Sequence, residues 1–175
     1  MPEKPAPEPR FAADCMLGTL AKWLRILGYD TLYLNQVEDA ELIGRARAEN
    51  RIILTRDRRL TERRRAAPFL LVTSEKPMQQ LREVAGVLGL EYREERLLTR
   101  CLRCNVPTGE ATREEVREEV PPYVLATQSR FRRCPSCRRV YWGATHRESM
   151  LARLRAMLGA ATGSLPSPAP EADPS

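Results

Sequence analysis

Apolar residues in the first half of the chain alternate between short continuous runs and stretches with helical spacing. Gly28 ends the first helical stretch, Asp39 opens the second, and Pro77 stands where a later one begins. A short Arg-rich helix is also expected from about Arg58. Four apolar runs predict β-strands: FAAD (11–14), TLYL (31–34), IILT (52–55) and FLLVT (69–73). Strands and helices that alternate in this order predict a three-layer α/β domain with a parallel sheet covered by helices.

The chain divides into five regions by composition. Residues 1–9 and 160–175 are rich in Pro, Ala, Ser and Glu, which bury little apolar surface, so we expect flexible tails. Residues 10–95 hold the predicted α/β domain. Residues 91–139 are charged and loop-like, with a pair of cysteines near each end, and we expect a small separate module over residues 96–146. Residues 147–159 have the spacing of an amphipathic helix, which should pack back on one of the two modules because it is not stable alone.

The small module carries two C-x2-C pairs separated by 29 residues, formed by Cys101, Cys104, Cys134 and Cys137. Each pair can turn two thiolates toward one ion, and two pairs complete a tetrahedral shell with no open position. The spacing therefore predicts one structural Zn²⁺ ion on which folding of the module depends. Four unrelated reduced cysteines or two disulfides are the alternatives. The fifth cysteine, Cys15, has no partner in this scheme, and we expect a buried free thiol.

Three aspartates follow successive strands: Asp14, Asp39 and Asp57. The carboxyl ends of parallel strands meet at one edge of a sheet, where open α/β folds place their ligands. Three carboxylates gathered there would repel one another unless a divalent cation held them, and oxygen ligands suit Mg²⁺ or Mn²⁺. Each aspartate could instead cap a helix. Asp30 precedes its strand, so we expect it at the opposite edge and outside this site.

The charge of the chain permits a polyanionic partner. The formal net charge is +6, and only three of the 29 basic residues are lysines. Arginine pairs with phosphate and stacks on bases, although an Arg-rich proteome or thermal adaptation would give the same composition. Arg56, Arg58 and Arg59 flank Asp57 and either bind phosphate or form a solvated helix face. No apolar stretch is long enough to span a membrane or to serve as a signal peptide, so we expect a cytoplasmic protein without a membrane partner.

Several segments in order resemble the Mut-seven C-terminal RNase domain family, over roughly residues 10–155. They are FAADCMLGTLAKWLRILGYDT, DAELIGRA, RIILTRDRRL, QLREV, RCLRCN, FRRCPSC and VYWGATH. The resemblance implies a PIN-like nuclease domain joined to a C-terminal zinc ribbon, with metal-dependent ribonuclease activity. It places the three aspartates at the family's acidic positions and the four spaced cysteines at its ribbon positions. Such nucleases often have a fourth acidic residue, for which the segment FLLVTSE offers Ser74 or Glu75.

The leading hypothesis is a metal-dependent ribonuclease that binds the RNA backbone through the arginines near Asp57. The ribbon would grip RNA outside the cleft, with Arg132 and Arg133 among its basic residues. The ribbon aromatics Phe131 and Tyr141, with Trp142, either stack on bases or form the core of a small module; we favour the core.

Two other functional classes remain. A non-catalytic RNA-binding or ribosome-associated protein would share the basic surface and the ribbon. An α/β phosphatase or nucleotide-binding protein would end its first strand in a DxD motif or a glycine-rich loop. Here the first strand ends in Asp14-Cys15-Met16, so we rank this class last.

Overall fold

The computed structural model describes residues 8–62 and 67–142, together with residues 152, 154–156 and 158. Its first half contains four short strands and four α-helices. The strands are β1 (Phe11–Ala13), β2 (Thr31–Tyr33), β3 (Ile52–Thr55) and β4 (Phe69–Leu71). The helices are α1 (Gly18–Ile26), α2 (Asp39–Ala48), α3 (Arg58–Glu62) and α4 (Pro77–Leu88). The predicted alternation of strand and helix is therefore confirmed.

The four strands form one parallel sheet in the order β2-β1-β3-β4. Successive residues of a strand point to opposite faces, and the two central strands are apolar on both. Phe11 and Ala13 pack with the leucines of α1 and α4, whereas Ala12 packs with α2 and α3 on the other face. The sheet thus lies between two layers of helices, as the sequence predicts.

The second half forms a small antiparallel unit, which we call the ribbon. Its strands are β5 (Gly109–Ala111), β6 (Phe131–Arg133) and β7 (Val140–Trp142), paired in that order. Two short helices, α5 (Arg113–Val116) and α6 (Pro122–Thr127), connect the first two strands. Val116, Val124 and Phe131 fill a small core between the helices and the sheet. The structure is therefore more regular here than the loop-like character of the sequence suggests.

The chain entering the ribbon is attached to the α/β domain. Leu97 is buried in the larger core, and the amide of Leu98 donates to the carbonyl of Ile26 at 2.9 Å. The Nε of Arg100 donates to the carbonyl of Gly28 at 3.3 Å. These contacts hold the start of the ribbon beside the end of α1, where the chain turns back toward β2.

The C-terminal segment returns to the α/β domain. Residues 152, 154–156 and 158 are helical, and Leu154 and Leu158 are buried in the same core as α1 and α4. The prediction that this helix packs back on another module is thus confirmed for the described residues; the rest of 147–159 and both predicted tails other than residues 8–9 lie outside them. None of the described helices has the length and apolar character needed to cross a membrane.

Candidate functional site

The four cysteines of the two C-x2-C pairs meet in the ribbon. Their Sγ atoms all lie within 4.8 Å of one another, and those of Cys101 and Cys137 are 3.6 Å apart. Tetrahedral zinc with Zn–S bonds of about 2.3 Å places its sulfur ligands about 3.8 Å apart. The observed spacing fits this geometry, so the predicted four-cysteine metal site is confirmed as a cluster that could hold one ion.

The two cysteine pairs have the same backbone geometry. In each pair the amide of the second cysteine donates to the Sγ of the first, at 3.3 and 3.4 Å. The residue that follows each pair, Asn105 or Arg138, has φ of 63°. Its amide donates to the carbonyl of Cys101 or Cys134, at 2.9 and 3.0 Å respectively. We call these two tight turns the first and second knuckles.

The pKa values of the cysteine thiols are also consistent with a site for a cation. Burial raises the pKa of Cys101, but hydrogen bonds from Tyr141 and from backbone amides outweigh burial and lower the pKa to about 6. Burial and the neighbouring thiols raise the pKa of Cys104 to about 11. Four sulfurs this close cannot all ionise unless a cation compensates their charge. The donor set and its electrostatics therefore fit a structural zinc site.

Asp14 lies at the carboxyl end of β1, one of the two central strands of the parallel sheet, and the residue is 9% exposed. One carboxylate oxygen, Oδ2, accepts hydrogen bonds from the hydroxyl of Thr55 at 2.5 Å and from the amide of Arg56 at 3.1 Å. The other oxygen, Oδ1, accepts from the amide of Met16 at 2.8 Å and caps the 3-10 helix that follows. Asp14 is therefore held rigidly at the edge of the sheet predicted for it.

Asp57 lies two residues beyond the end of β3, the neighbouring strand, and is exposed. Its amide donates to the hydroxyl of Thr55 at 3.0 Å, and that hydroxyl in turn binds Asp14. The Asp57 carboxylate accepts from the amide of Arg59 at 2.8 Å at the start of α3. Thr55 thus connects the two aspartates through its single hydroxyl group.

Asp39 is exposed and is the first residue of α2, on the other side of β1 from Asp57. The three aspartates therefore share one edge of the sheet, as the sequence predicts. Within the part of the chain that the structure describes, they do not form a group close enough to hold one ion; the four cysteines do. The roles of the aspartates as ligands stay a prediction.

Glu83 is an acidic residue at this edge that sequence reasoning missed. Its carboxylate accepts hydrogen bonds from the amides of Thr73 and Ser74, at 2.8 and 2.9 Å, just beyond β4. Burial raises the pKa of Glu83, but these hydrogen bonds outweigh it and lower the pKa. Glu83 comes from the middle of α4, where its sequence position gives no sign of the edge. Glu75, the fourth acid suggested by sequence, is exposed in the loop that Glu83 holds.

The candidate RNA-binding arginines fall into two groups. Arg58 and Arg59 are exposed and Arg56 is half-buried, all beside Asp57. Arg132 donates through Nε to the hydroxyl of Thr108 at 2.8 Å, and Arg133 forms an ion pair with Glu119. The guanidinium groups of Arg132 and Arg133 thus have partners inside the ribbon.

The aromatic residues of the ribbon serve its interior. Phe131 is 3% exposed and lies in the ribbon core, against which Trp142 also packs. The hydroxyl of Tyr141 lies 3.1 Å from the Sγ of Cys101 and accepts from the amide of Leu102 at 3.0 Å. Core packing and support of the metal site explain these side chains, in agreement with the favoured interpretation.

Two sequence expectations concern residues near the sites. Cys15 is exposed, so the expectation of a buried thiol is wrong; in the 3-10 helix it shares with Leu17, it is Leu17 that turns into the core. Asp30 lies at the amino edge of the sheet, opposite the three aspartates, as expected. It hydrogen-bonds Asn105 of the first knuckle at 2.7 Å. The first knuckle therefore contacts the edge opposite Asp14.

Comparison with known proteins adds a family. No curated protein and no solved structure matches the chain. The family model described as "Mut7-C RNAse domain" matches residues 9–154, which include the parallel sheet, the aspartate edge and both knuckles. With this match over most of its length, and with the α/β domain and four-cysteine ribbon that the family resemblance implies, the chain belongs to the Mut7-C RNAse domain family.

Proposed function

We propose that this protein is a PIN-type ribonuclease that hydrolyses RNA phosphodiester bonds at the carboxyl edge of its parallel sheet. Membership in an RNase domain family supports a nuclease-like function with RNA as the substrate. The observation that carries the proposal is the position of Asp14. Its carboxylate is nearly buried at the end of a central strand, where open α/β folds place their ligands, and three hydrogen bonds hold it in that position.

Asp14, Asp39 and Asp57 would hold Mg²⁺ or Mn²⁺ at this edge. Such a cation, when bound, lowers the pKa of water and stabilises negative charge on a phosphodiester. Thr55 orients the carboxylate of Asp14 through its hydroxyl and fixes the backbone at Asp57. Asp57 and Asp39 are exposed, so their side chains would be free to turn toward a cation bound beside Asp14.

The backbone of the RNA would be bound by the arginines of the same edge. Arg58 and Arg59 open α3 and are exposed, so their guanidinium groups can reach phosphates beside Asp57. In the ribbon, Arg130 and Arg139 are exposed and could extend the basic surface. We propose that the ribbon, with zinc in its four-cysteine site, assists RNA binding in this way.

One observation favours the non-catalytic alternative. Asp14 and Asp57 both cap the helices that follow them, and Asp39 stands in the first turn of α2. Helix capping alone explains aspartates at such positions. On this reading the protein binds RNA without cleaving it.

The two functions are separated by a cleavage assay with Mn²⁺ and single-stranded RNA. The variants Asp14→Asn, Asp39→Asn and Asp57→Asn keep an oxygen that can cap a helix but lose the charge. We expect each to cleave roughly 10²–10³-fold more slowly, as when one electrostatic stabiliser is removed. Glu118→Gln, a change of the same kind at an exposed ribbon position, should retain activity.

Binding is measured on the same samples by RNA fluorescence anisotropy, and folding by circular dichroism. Equal cleavage by wild type and the three aspartate variants would refute the proposed site. RNA binding by the wild type without any cleavage would establish the alternative. Weaker Mn²⁺ binding by Asp14→Asn in calorimetry is a second expected result that does not depend on activity.

A further inference from the structure

The first knuckle is joined to the α/β domain by a buried arginine. Arg25 lies in the last turn of α1 and is 5% exposed. Its Nε donates to the carbonyl of Thr31 in β2 at 2.9 Å. Its Nη1 donates to the carbonyls of Leu102 and Arg103 at 2.7 and 3.2 Å, which are the two residues between the cysteines of the first knuckle. One guanidinium group therefore fastens the backbone of the knuckle to the edge strand of the sheet.

Asn105 makes a second connection. Its side-chain amide donates to the Oδ1 of Asp30 at 2.7 Å, and its side-chain oxygen accepts the amide of Thr31 at 3.0 Å. Thr31 is fully buried, so without Asn105 this amide would lose its partner away from water. Because Asn105 directly follows the second cysteine of the knuckle, its position is set by the geometry of the metal site.

The charges of the two regions are complementary. Four thiolates around one Zn²⁺ ion carry a net charge of −2, and a nearby buried cation offsets part of it. Burial lowers the pKa of Arg25, whereas the charges of Cys101, Asp30 and Cys104 act in the opposite direction and favour the charged guanidinium. In the second knuckle, the position equivalent to Asn105 is the exposed Arg138.

We propose that Arg25 and Asn105 are positioning residues of the zinc site, through which zinc binding and docking of the first knuckle on the α/β domain stabilise each other. Two consequences follow, because coupling between binding and docking is reciprocal. Docking slows the release of zinc, and zinc protects the amide of Thr31 in the α/β domain from hydrogen exchange.

The decisive comparison is Asn105→Gly against Arg138→Gly, each in the full-length zinc-loaded protein. Both positions have φ of 63°, which glycine adopts without strain, so both knuckles keep their backbone. Only Asn105→Gly removes the bonds to Asp30 and Thr31. The measured quantity is the rate at which zinc passes to a colorimetric chelator. We expect about 10- to 100-fold faster release from Asn105→Gly, typical of a lost outer partner, and about the wild-type rate from Arg138→Gly.

Arg25 separates charge from geometry. Arg25→Met removes the charge, whereas Arg25→Lys keeps the charge but lacks the planar fork of donors with which arginine reaches both β2 and the first knuckle. We expect release to accelerate in the order wild type, Arg25→Lys, Arg25→Met. If Arg25→Met does not fold, the zinc release rate of Asn105→Gly and the hydrogen exchange of the Thr31 amide test the proposal without it.

Hydrogen exchange at Thr31 is measured with and without zinc. Loss of zinc should speed its exchange at least about 10-fold in the wild type and much less in Asn105→Gly, where the acceptor is already gone. The proposal would be overturned if Asn105→Gly and Arg25→Lys released zinc at the wild-type rate. It would also be overturned if the exchange rate of the Thr31 amide were the same with and without zinc. Neither readout depends on RNA cleavage.

Discussion

Replacing Asp30 by Asn should destabilise the protein strongly at neutral pH. Asp30 precedes β2, and its Oδ1 accepts hydrogen bonds from Arg51 at 2.6 Å and Asn105 at 2.7 Å, while its Oδ2 accepts from Arg10 at 3.1 Å. The side chain of Arg51 is only 5% exposed. The Asp30→Asn variant would place an uncharged amide beside this buried guanidinium, which would then have Glu49 as its one remaining carboxylate partner among the contacts described.

The pKa of Asp30 sets the size of the effect. Burial raises this pKa, but hydrogen bonds from Arg51 and Asn105 outweigh burial and lower it to about 2, from 3.8. A difference of almost two pKa units corresponds to about 2.5 kcal/mol of folding stability. Leaving a buried charge with no partner costs about 3–5 kcal/mol, and this is an upper limit here because Arg51 keeps its ion pair with Glu49 at 2.6 Å. We therefore expect Asp30→Asn to lose about 2–4 kcal/mol at pH 7.

The pH dependence follows from the direction of the shift. Because the pKa is lower in the folded state, the stabilisation is complete above about pH 5 and is lost as the pH falls from about 4 to about 2. Urea unfolding of wild type and Asp30→Asn at several pH values tests this. Acidification would also release a metal ion held by the four cysteines in both proteins, so the difference between their free energies of unfolding is the quantity compared.

Glu94→Gln is the matched control, because Glu94 forms an exposed ion pair with Arg155. The side chain of Glu94 is 60% exposed and that of Arg155 is 53% exposed. This variant should change stability little at any pH. A loss in Asp30→Asn no larger than that of the control, or a loss that is the same at pH 3 as at pH 7, would refute this account of Asp30.

Two further comparisons test the backbone and the aspartate edge. Gly28 has φ of +88°, and a Cβ there would lie 2.6 Å from the carbonyl oxygen of Arg96, so Gly28→Ala should cost about 3 kcal/mol in urea unfolding. Gly44→Ala, in a helix with open space around it, should gain about 1 kcal/mol; similar effects of the two changes would contradict this. Thr55→Val removes the hydroxyl that binds Asp14 and should slow RNA cleavage about 10-fold or more. Thr55→Ser should stay near the wild-type rate, and equal rates in both variants would show that the hydroxyl does not matter.

The sequence predicts the α/β domain well because its signals are local. Fully apolar runs such as IILT are typical of strands buried on both faces, and Gly28 and Pro77 mark helix boundaries wherever the chain goes later. Once the strands are parallel, the shared edge of Asp14 and Asp57 follows from topology alone. The C-x2-C spacing likewise determines its own geometry, because each knuckle is closed by hydrogen bonds within five residues.

The remaining features depend on partners that are distant in sequence. The three-residue strands of the ribbon are too short to show a period, although the sequence Thr112-x-x-Glu115 does carry the capping box that begins α5. Arg25 belongs to an amphipathic helix, where an arginine normally faces water, and its partners Leu102 and Arg103 lie 77 and 78 residues away. Glu83 is only nine or ten residues from Ser74 and Thr73, but no local signal shows that this residue of α4 turns back to the end of β4.

The buried contacts of Arg25 also bear on how such a protein could arise by recombination. A different ribbon joined to this α/β domain would have to bring its own acceptors for the guanidinium and its own partner for the amide of Thr31. This ribbon, if joined to a different domain, would lose its contacts with Arg25 and Thr31. The α/β domain and the ribbon therefore have complementary buried contacts. Recombination that exchanged one of them alone would leave buried polar groups without partners, so the two are expected to be inherited together.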